Sequence, residues 1–460
     1  MHHFSYLISI MVTGLLTSCA IQKKSALTPA LTYKDFSVQP TSVVNIPVTL
    51  DLSQFYKEAE ASISKTYSGK EEPCQGLRYS YQFTRTPIQF NGESDKINIA
   101  FRGAYKMNMA YCAACAFDRC VVPAPAASCG VDEPERRLDI GFAMSYQLTP
   151  DYGLLSTTTL TKLTAVDPCK ITFLNVDISD RITDIVSGSL NDICKQYDRE
   201  TSKTNLKQPL QMAWDSLTAP TKLDDGVGYF SLHPQAIGIS PFQFAGSKMT
   251  FNAGLTIKPV LYSDQQRTVF KKLPPLSSVK PSDGFNVCTD VLFNYDSLTQ
   301  LINRTMKGKT FQMKNREVVI EKINIKGAAN NRLSFHIAFS GYKKGVVRIS
   351  GHPFLVQDSL LAGLAATDVH LEKGSLILKL AFSLFKKKIR KAVTDNSTIS
   401  LKEFTEEARI SLEKNLNRTF EQQYQLSGKV SQLRLSDVYA SGNVLKIRTW
   451  TKGNVRLFIR

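Results

Sequence analysis

Apolar positions along the chain switch between two spacings, and the sequence of switches occurs twice. Residues 43–52 alternate at every second position, the spacing of a strand with one buried face. Pro47 inside that run predicts an edge strand or a bulge. Ser53 follows as a candidate N-cap. Phe55, Ala59, Ile63 and Tyr67 then recur every four residues, which predicts one apolar helix face ending at Gly69. Strand spacing returns over residues 77–83 and at Ile97, Ile99 and Phe101, closing at Gly103. From residue 285 the order restarts. Residues 285–293 are strand-like, and Asp296 or Ser297 can cap a helix carrying Leu298, Leu301, Ile302 and Met306, ended by Gly308. Val318, Ile320, Ile323 and Ile325, then Leu333, Phe335, Ile337 and Phe339, give two more strands. The run Ile99-Ala100-Phe101-Arg102-Gly103 stands at nearly the same offset from Ile337-Ala338-Phe339-Ser340-Gly341 as Gly69 does from Gly308. The pattern therefore predicts an internal duplication.

Longer helical stretches close each half. Ile182, Ile185, Val186, Leu190, Ile193 and Tyr197 fit one face, and Leu210, Ala213, Trp214 and Leu217 fit another, stopped by Pro220. In the second half, residues 376–393 read as a helix with a basic outer face. Ser400 and Glu403 form a capping-box pattern that opens a stripe from Leu401 to Leu416. Strands follow over residues 430–435, 444–450 and 455–459. Runs of strands beside segregated helices predict an α+β fold with antiparallel sheet. Pro274 and Pro275, followed by serines, cannot continue a helix and mark a linker over residues 271–284.

The start of the chain reads differently from the rest. A short apolar run ends in Leu16-Thr17-Ser18-Cys19, which resembles a bacterial lipoprotein signal. The resemblance implies removal of residues 1–18 and lipidation of Cys19; an ordinary cleaved secretory peptide is the alternative. Either places the mature protein outside the cytoplasm. Residues 19–40 are small and polar, as a tether would be. The remaining boundaries are residues 41–270 for an N-terminal domain with a cysteine-rich insertion and residues 285–460 for a basic C-terminal domain.

That location decides how cysteine and charge are read. Besides Cys19 the chain has eight cysteines, an even number. Cys112, Cys115, Cys120 and Cys129 crowd into 18 residues, and Cys169 and Cys194 follow. In an oxidising compartment these six are disulfide candidates stapling an irregular insertion. A zinc site or a redox C-x-x-C at Cys112 and Cys115 remains open at the sequence level, and pairing cannot be read from spacing. The net charge of +17 lies wholly in residues 301–460, which hold 29 basic and 12 acidic residues. Its densest run includes Lys386, Lys387, Lys388, Arg390 and Lys391. Outside the cytoplasm the matching partner is an anionic lipid or lipopolysaccharide headgroup rather than nucleic acid; a solvated helix face is the plainer reading.

Two further stretches carry a family resemblance. Ala213-Trp214-Asp215-Ser216-Leu217-Thr218-Ala219-Pro220 with Leu232-His233-Pro234, and Gly341 to Gly345 leading into Gly351-His352-Pro353, resemble an uncharacterised lipoprotein family of Bacteroidota. Cys129-Gly130 with Arg136-Arg137 belongs to the same resemblance. That family is grouped with the tubular lipid-binding (TULIP) proteins, which include bactericidal/permeability-increasing protein. The resemblance implies two tandem TULIP-like domains, each a long curved antiparallel sheet wrapped around a long amphipathic helix. It implies no catalytic residue and no cofactor.

No G-x-S-x-G, H-E-x-x-H, Walker loop or strand-borne G-x-G-x-x-G is present. The histidines are scattered; His336 is expected on a solvent face and His352 in a turn. The expected function is a non-enzymatic, lipid-anchored protein of the outer membrane's periplasmic face that binds or transfers a lipid or other elongated hydrophobic ligand. Phe55, Ala59, Ile63, Leu298, Leu301 and Ile302 would line its groove. The alternative is a scaffold with no ligand cavity.

Overall fold

In the computed structural model the described residues are 36–123, 126–171, 176–223, 228–267, 269, 271–282, 284–313, 316–328, 330–356, 361–395 and 398–460. Cys19, the expected signal and most of the expected tether lie outside them. The described chain is mixed α and β, mostly strands, with six helices: α1 Ser53–Ser62, α2 Ser179–Thr201, α3 Lys207–Thr218, α4 Tyr295–Met306, α5 Leu376–Asp395 and α6 Lys402–Asn415. None of the described helices is long and apolar enough to cross a membrane.

The same order of elements occurs twice. A first strand (Ser42–Asp51, or Gly284–Asn294) leads into a short helix (α1, or α4). An antiparallel meander follows, then two helices (α2 and α3, or α5 and α6), then closing strands. In each half the first strand pairs antiparallel with a long closing strand: Ser42–Asp51 with Lys248–Ile257, and Gly284–Asn294 with Val444–Ile459. Strands from both halves share one sheet. Ser42–Asp51 meets Gly284–Asn294 over Val43–Asn45, then runs parallel to Val444–Ile459 over Val48–Leu50. The register on that side skips Ile46 and Pro47, so the proline lies in the gap between two partners rather than at an edge.

α4 shows why its sequence was legible. Asn294 caps it, its side chain accepting from the Ser297 N–H, two residues before the expected Asp296 and three before Ser297. Tyr295, Leu298, Ile302 and Met306 fall on one face and are all buried. Gly308 then takes φ +81°, a left-handed turn that suits glycine after a helix end. α1 departs from expectation. It stops at Ser62, and Thr66–Glu71 is a strand paired with Gly76–Arg85. Gly69 therefore ends no helix. It sits opposite Tyr81, whose ring occupies the space a side chain would need; a Cβ there would lie 2.5 Å from Tyr81 Cε1. A glycine in a strand gave the same sequence signal as a glycine at a helix end.

The segment expected as a linker is packed down. Leu276–Ser278 forms a short parallel pair with Ile237–Ile239, and Leu273 is buried with Tyr152 and Trp214. The end of the expected tether is docked as well: Gln39 Nε2 donates to the carbonyls of Pro259 and Cys288 at 2.7 and 2.9 Å.

Three disulfides join Cys74 to Cys115, Cys112 to Cys120 and Cys129 to Cys169. The cysteine-rich insertion is a hairpin, Lys96–Ala116 turning into Arg119–Pro123, rather than a loop. Cys194, expected to pair, is a buried thiol on α2, and Cys74 takes part instead. Register explains the exchange. Gly76 lies opposite Cys112, so Cys74 falls beside the hairpin tip, far in sequence but adjacent in the sheet.

Candidate functional site

The two halves differ in how the short helix meets the meander. In the second half, Leu298, Ile302 and Met306 of α4 pack into a core with Ile320, Ile323, Ile325, Leu333, Ile337 and Ile349. Ile302, Met306 and Ile323 have no accessible surface. Leu298 and Ile302 are therefore core residues, not groove lining, and Leu301 beside them is half-buried. The second half has closed over its helix.

In the first half no residue of α1 is buried, and Phe55 is 57 % exposed. Ile63, just beyond the helix, is exposed and Ala59 is half-buried. The end of α1 is held by Arg85, whose Nη2 donates to the carbonyls of Glu60 and Ile63 and whose Nη1 donates to the Glu60 carboxylate. The Ile88 backbone N–H, followed by Arg85, holds the Glu60 carboxyl below its ordinary range.

α1 is thus fixed at one end of a broad apolar face. Register places Tyr67, Phe83, Tyr105 and Tyr81, Met107 on one side of the first strands of the meander. Phe101 with Ile140, and Ile99 with Phe142, continue that side. From Ile97 to Met109 the face runs about 40 Å, longer than the ~30 Å hydrocarbon core of a bilayer. α2 lies along Leu154–Ala165 and packs Ile182, Val186 and Leu190 onto this face. Asp198 pins its far end, accepting from Ser156 Oγ at 2.7 Å and from Thr158 N and Oγ1 at 3.0 and 2.8 Å. Burial pushes the Asp198 carboxyl up, but these hydrogen bonds outweigh it and the net shift is downward. Coverage stays partial. Phe83, Phe101 and Phe142 remain half-buried, while Ile185, Ile193 and Tyr197 of α2 are exposed.

Two sets of polar groups interrupt the face. At one end Tyr146 meets Tyr197, hydroxyl to hydroxyl at 2.9 Å, and Tyr146 packs with Tyr56 of α1 in the cluster around Leu52, Ile97 and Phe244. Burial, then the Tyr197 contact, raises the Tyr146 pKa. Farther along the face, short of Met107 and Met109, the Tyr105 hydroxyl is buried with no hydrogen-bond partner among the described residues, and burial pushes its pKa up to about 12. An unpaired buried hydroxyl costs about 1–3 kcal/mol. Tyr105→Phe is therefore expected to raise the stability of the protein by about 1 kcal/mol, read as a higher urea midpoint; a lower midpoint would show that the hydroxyl has a partner.

The other expected site residues are scattered. A cleft of about 570 Å³ opens among Ser68, Lys70, Ser80, Gln82, Lys106 and Asn108, on the opposite, polar side of these strands, and holds none of the expected groove residues. On α5, Lys387, Arg390 and Lys391 are exposed, whereas Lys386 is half-buried and faces Asp368. The Lys388 side chain lies outside what is described. His336 Nδ1 lies 2.9 Å from Glu372 Oε2. His352 is a buried strand residue, not a turn residue, with Nδ1 3.0 Å from the Asn331 carbonyl. Sequence reasoning missed the aromatic side of the meander; the alternation at Ile97, Ile99 and Phe101 was its visible part.

No curated protein matches the chain. Among solved structures, a lipopolysaccharide binding protein aligns with 10 % identity and a TM-score of 0.23, over 92 % of this chain and 100 % of that one. P47 of Clostridium botulinum E1 aligns with 9 % identity and a TM-score of 0.21, over 89 % and 98 %. P47 from Clostridium botulinum A2 gives 8 % identity and 0.21, over 88 % and 96 %. Likenesses at this level bear on neither fold nor ligand. Residues 40–459, nearly the whole described chain, match the domain of unknown function DUF4403, and the protein belongs to that family.

Proposed function

We propose that the protein is a non-catalytic carrier for an elongated apolar ligand, a lipid or a similar molecule, held on the apolar face of the first half. The observation that carries this reading is the open side of that face, bounded by Phe55 and Ile63 at α1 and by Ile185, Ile193 and Tyr197 on α2. Binding there needs only desolvation. Each methylene buried contributes about 0.8 kcal/mol, so one acyl chain laid along the face is held without any reacting group. In this reading the two halves are tandem units of the TULIP type, of which only the first keeps room for a guest. The repeated order of elements supports the tandem arrangement. The reading further holds that Cys19 carries a lipid anchoring the protein at the periplasmic face of the outer membrane. The basic second half would then turn Lys387, Arg390 and Lys391 toward anionic headgroups. The closed core around Ile302 favours a scaffold role for the second half alone.

Native mass spectrometry combined with organic extraction tests the carrier. The wild-type protein is expected to co-purify with lipid, and Phe55→Asp with Ile193→Asp to retain at least tenfold less, since a charge on the face must be desolvated. Both positions are exposed, so the pair is expected to fold with stability within about 1 kcal/mol of wild type. A wild-type protein that extracts clean and takes up no fluorescent fatty-acid probe would overturn the reading.

A further inference from the structure

α5 has two apolar sides, and the fold uses one. Leu378 and Phe382 face the second half: Leu378 Cδ2 occupies the space beside Gly374 and Gly345, and Phe382 packs on the core around Ile302. At 100° per residue, Leu376, Leu380 and Leu384 fall on the opposite side, with Ile377 next to them. These four are 67–80 % exposed, more than the apolar residues flanking the carrier face. The same outward line continues into Lys387 and Lys391, both exposed. One helix side is therefore leucine over its first half and lysine over its second.

The neighbouring turn adds to the patch. Gly345 pairs with Gly374, two residues before α5 begins, so the Gly341–Gly345 turn lies beside the helix start. Tyr342 projects there, 56 % exposed, with the Lys343 ammonium 5.2 Å from its ring. Leucine, isoleucine and tyrosine stand at the tip, with lysines beside and behind them. That layering matches the acyl and headgroup zones of a lipid surface.

We propose that the start of α5, with the Tyr342 turn, inserts into an anionic lipid bilayer: Leu376, Ile377, Leu380 and Leu384 enter the acyl boundary while Lys387, Arg390 and Lys391 meet headgroup phosphates. The occupant follows from charge complementarity. A second copy packed in parallel would bring lysine against lysine and one packed antiparallel would bring lysine against leucine, whereas an anionic bilayer offers apolar depth and negative charge in the required order. This rests on the headgroup half of the functional reading and is independent of the carrier face. Desolvation of the leucines supplies depth, and each basic residue near the surface raises affinity about fivefold.

The test uses residues 20–460, without the expected apolar signal and Cys19 so that neither an acyl anchor nor the leader contributes, and co-sedimentation with vesicles of phosphatidylglycerol and phosphatidylcholine. Binding is expected to these vesicles and not to phosphatidylcholine alone. Leu380→Ser with Leu384→Ser is expected to weaken it at least tenfold, with an unchanged circular dichroism spectrum because both side chains are exposed. Lys387→Gln with Lys391→Gln is expected to weaken it by a similar factor and to flatten its salt dependence. A leucine variant that binds like wild type, beside a lysine variant that does not, leaves headgroup contact standing and overturns insertion. Failure of the wild type to bind overturns both. A wild type that dimerises without vesicles, through the same leucines, assigns the patch to a second copy and overturns the proposal.

Discussion

Arg448→Met is expected to lower the unfolding free energy by about 3–5 kcal/mol, the cost of leaving a buried charge without its partner. Arg448 is almost fully buried. Its Nε and Nη2 donate to the two Asp290 carboxylate oxygens at 2.7 and 2.9 Å, a bidentate pair between strand Gly284–Asn294 and strand Val444–Ile459. The same guanidinium reaches the N-terminal segment. Nη1 donates to Ser37 Oγ at 2.7 Å, Nη2 donates to the Ser37 carbonyl at 2.9 Å, and the Phe36 ring centroid lies 4.5 Å away. Methionine keeps much of the stem's volume and removes every one of these donors, so Asp290 stays buried and unpaired. In urea unfolding the midpoint should fall. Protection of the amides near residues 36–39 against hydrogen exchange should fall with it. Adding Asp290→Leu should recover most of the loss, because removing both charges also removes the desolvation cost. A single variant within about 1 kcal/mol of wild type would mean that the carboxylate finds water or another cation once Arg448 is gone.

That pair was invisible in the sequence, and the reason is general. Asp290 and Arg448 are ordinary charged residues in alternating strands, far apart along the chain, and only register makes them neighbours. Helix periodicity is local, so α2, α3, α4, α5 and α6 were all legible from spacing and flanking residues. Helix coverage is not local. Phe55, Ala59 and Ile63 carry the same four-residue spacing as Leu298, Ile302 and Met306, yet one set lies open and the other is buried. The difference arises from what the sheet brings against each helix. The repeated order of elements was legible, but the expected Gly69 landmark is a strand glycine, and the short helices start at Ser53 and Tyr295. The outer face of α5 is expected to be basic, but Leu378 and Phe382 pack inward and leave Leu376, Leu380 and Leu384 exposed on the outer side ahead of the lysines. Cys74, outside the six expected candidates, bonds Cys115 while Cys194 stays a thiol, because strand register and not sequence spacing sets which cysteines meet.

Removing the Cys129–Cys169 disulfide as the Cys129→Ala, Cys169→Ala pair is expected to cost about 4 kcal/mol in unfolding free energy. The bond joins residues 40 apart in sequence, and cross-linking a loop of that length removes most of its closure entropy from the unfolded chain. The shorter Cys112–Cys120 loop, 8 residues, should cost nearer 2.5 kcal/mol by the same reasoning. Position adds to the contrast. Both sulfurs of the 129–169 bond are fully buried among Tyr105, Leu138, Ile140 and Ile182, whereas Cys115 of the Cys74 bond is exposed at the hairpin tip. Cys169 also sets the start of α2: its N–H donates to Ser179 Oγ at 2.7 Å and its carbonyl accepts from the Ile178 N–H at 3.0 Å. Cutting the bond should therefore speed hydrogen exchange along α2 before global unfolding, and with it loosen the helix over the apolar face. If the alanine pair unfolds within about 1 kcal/mol of wild type, the strand pairing alone already holds that loop closed, and the coupling between disulfide and apolar face fails. If it unfolds early and exchange along α2 quickens, the bond is what keeps the face in shape, and on the proposed reading the variant also retains less lipid.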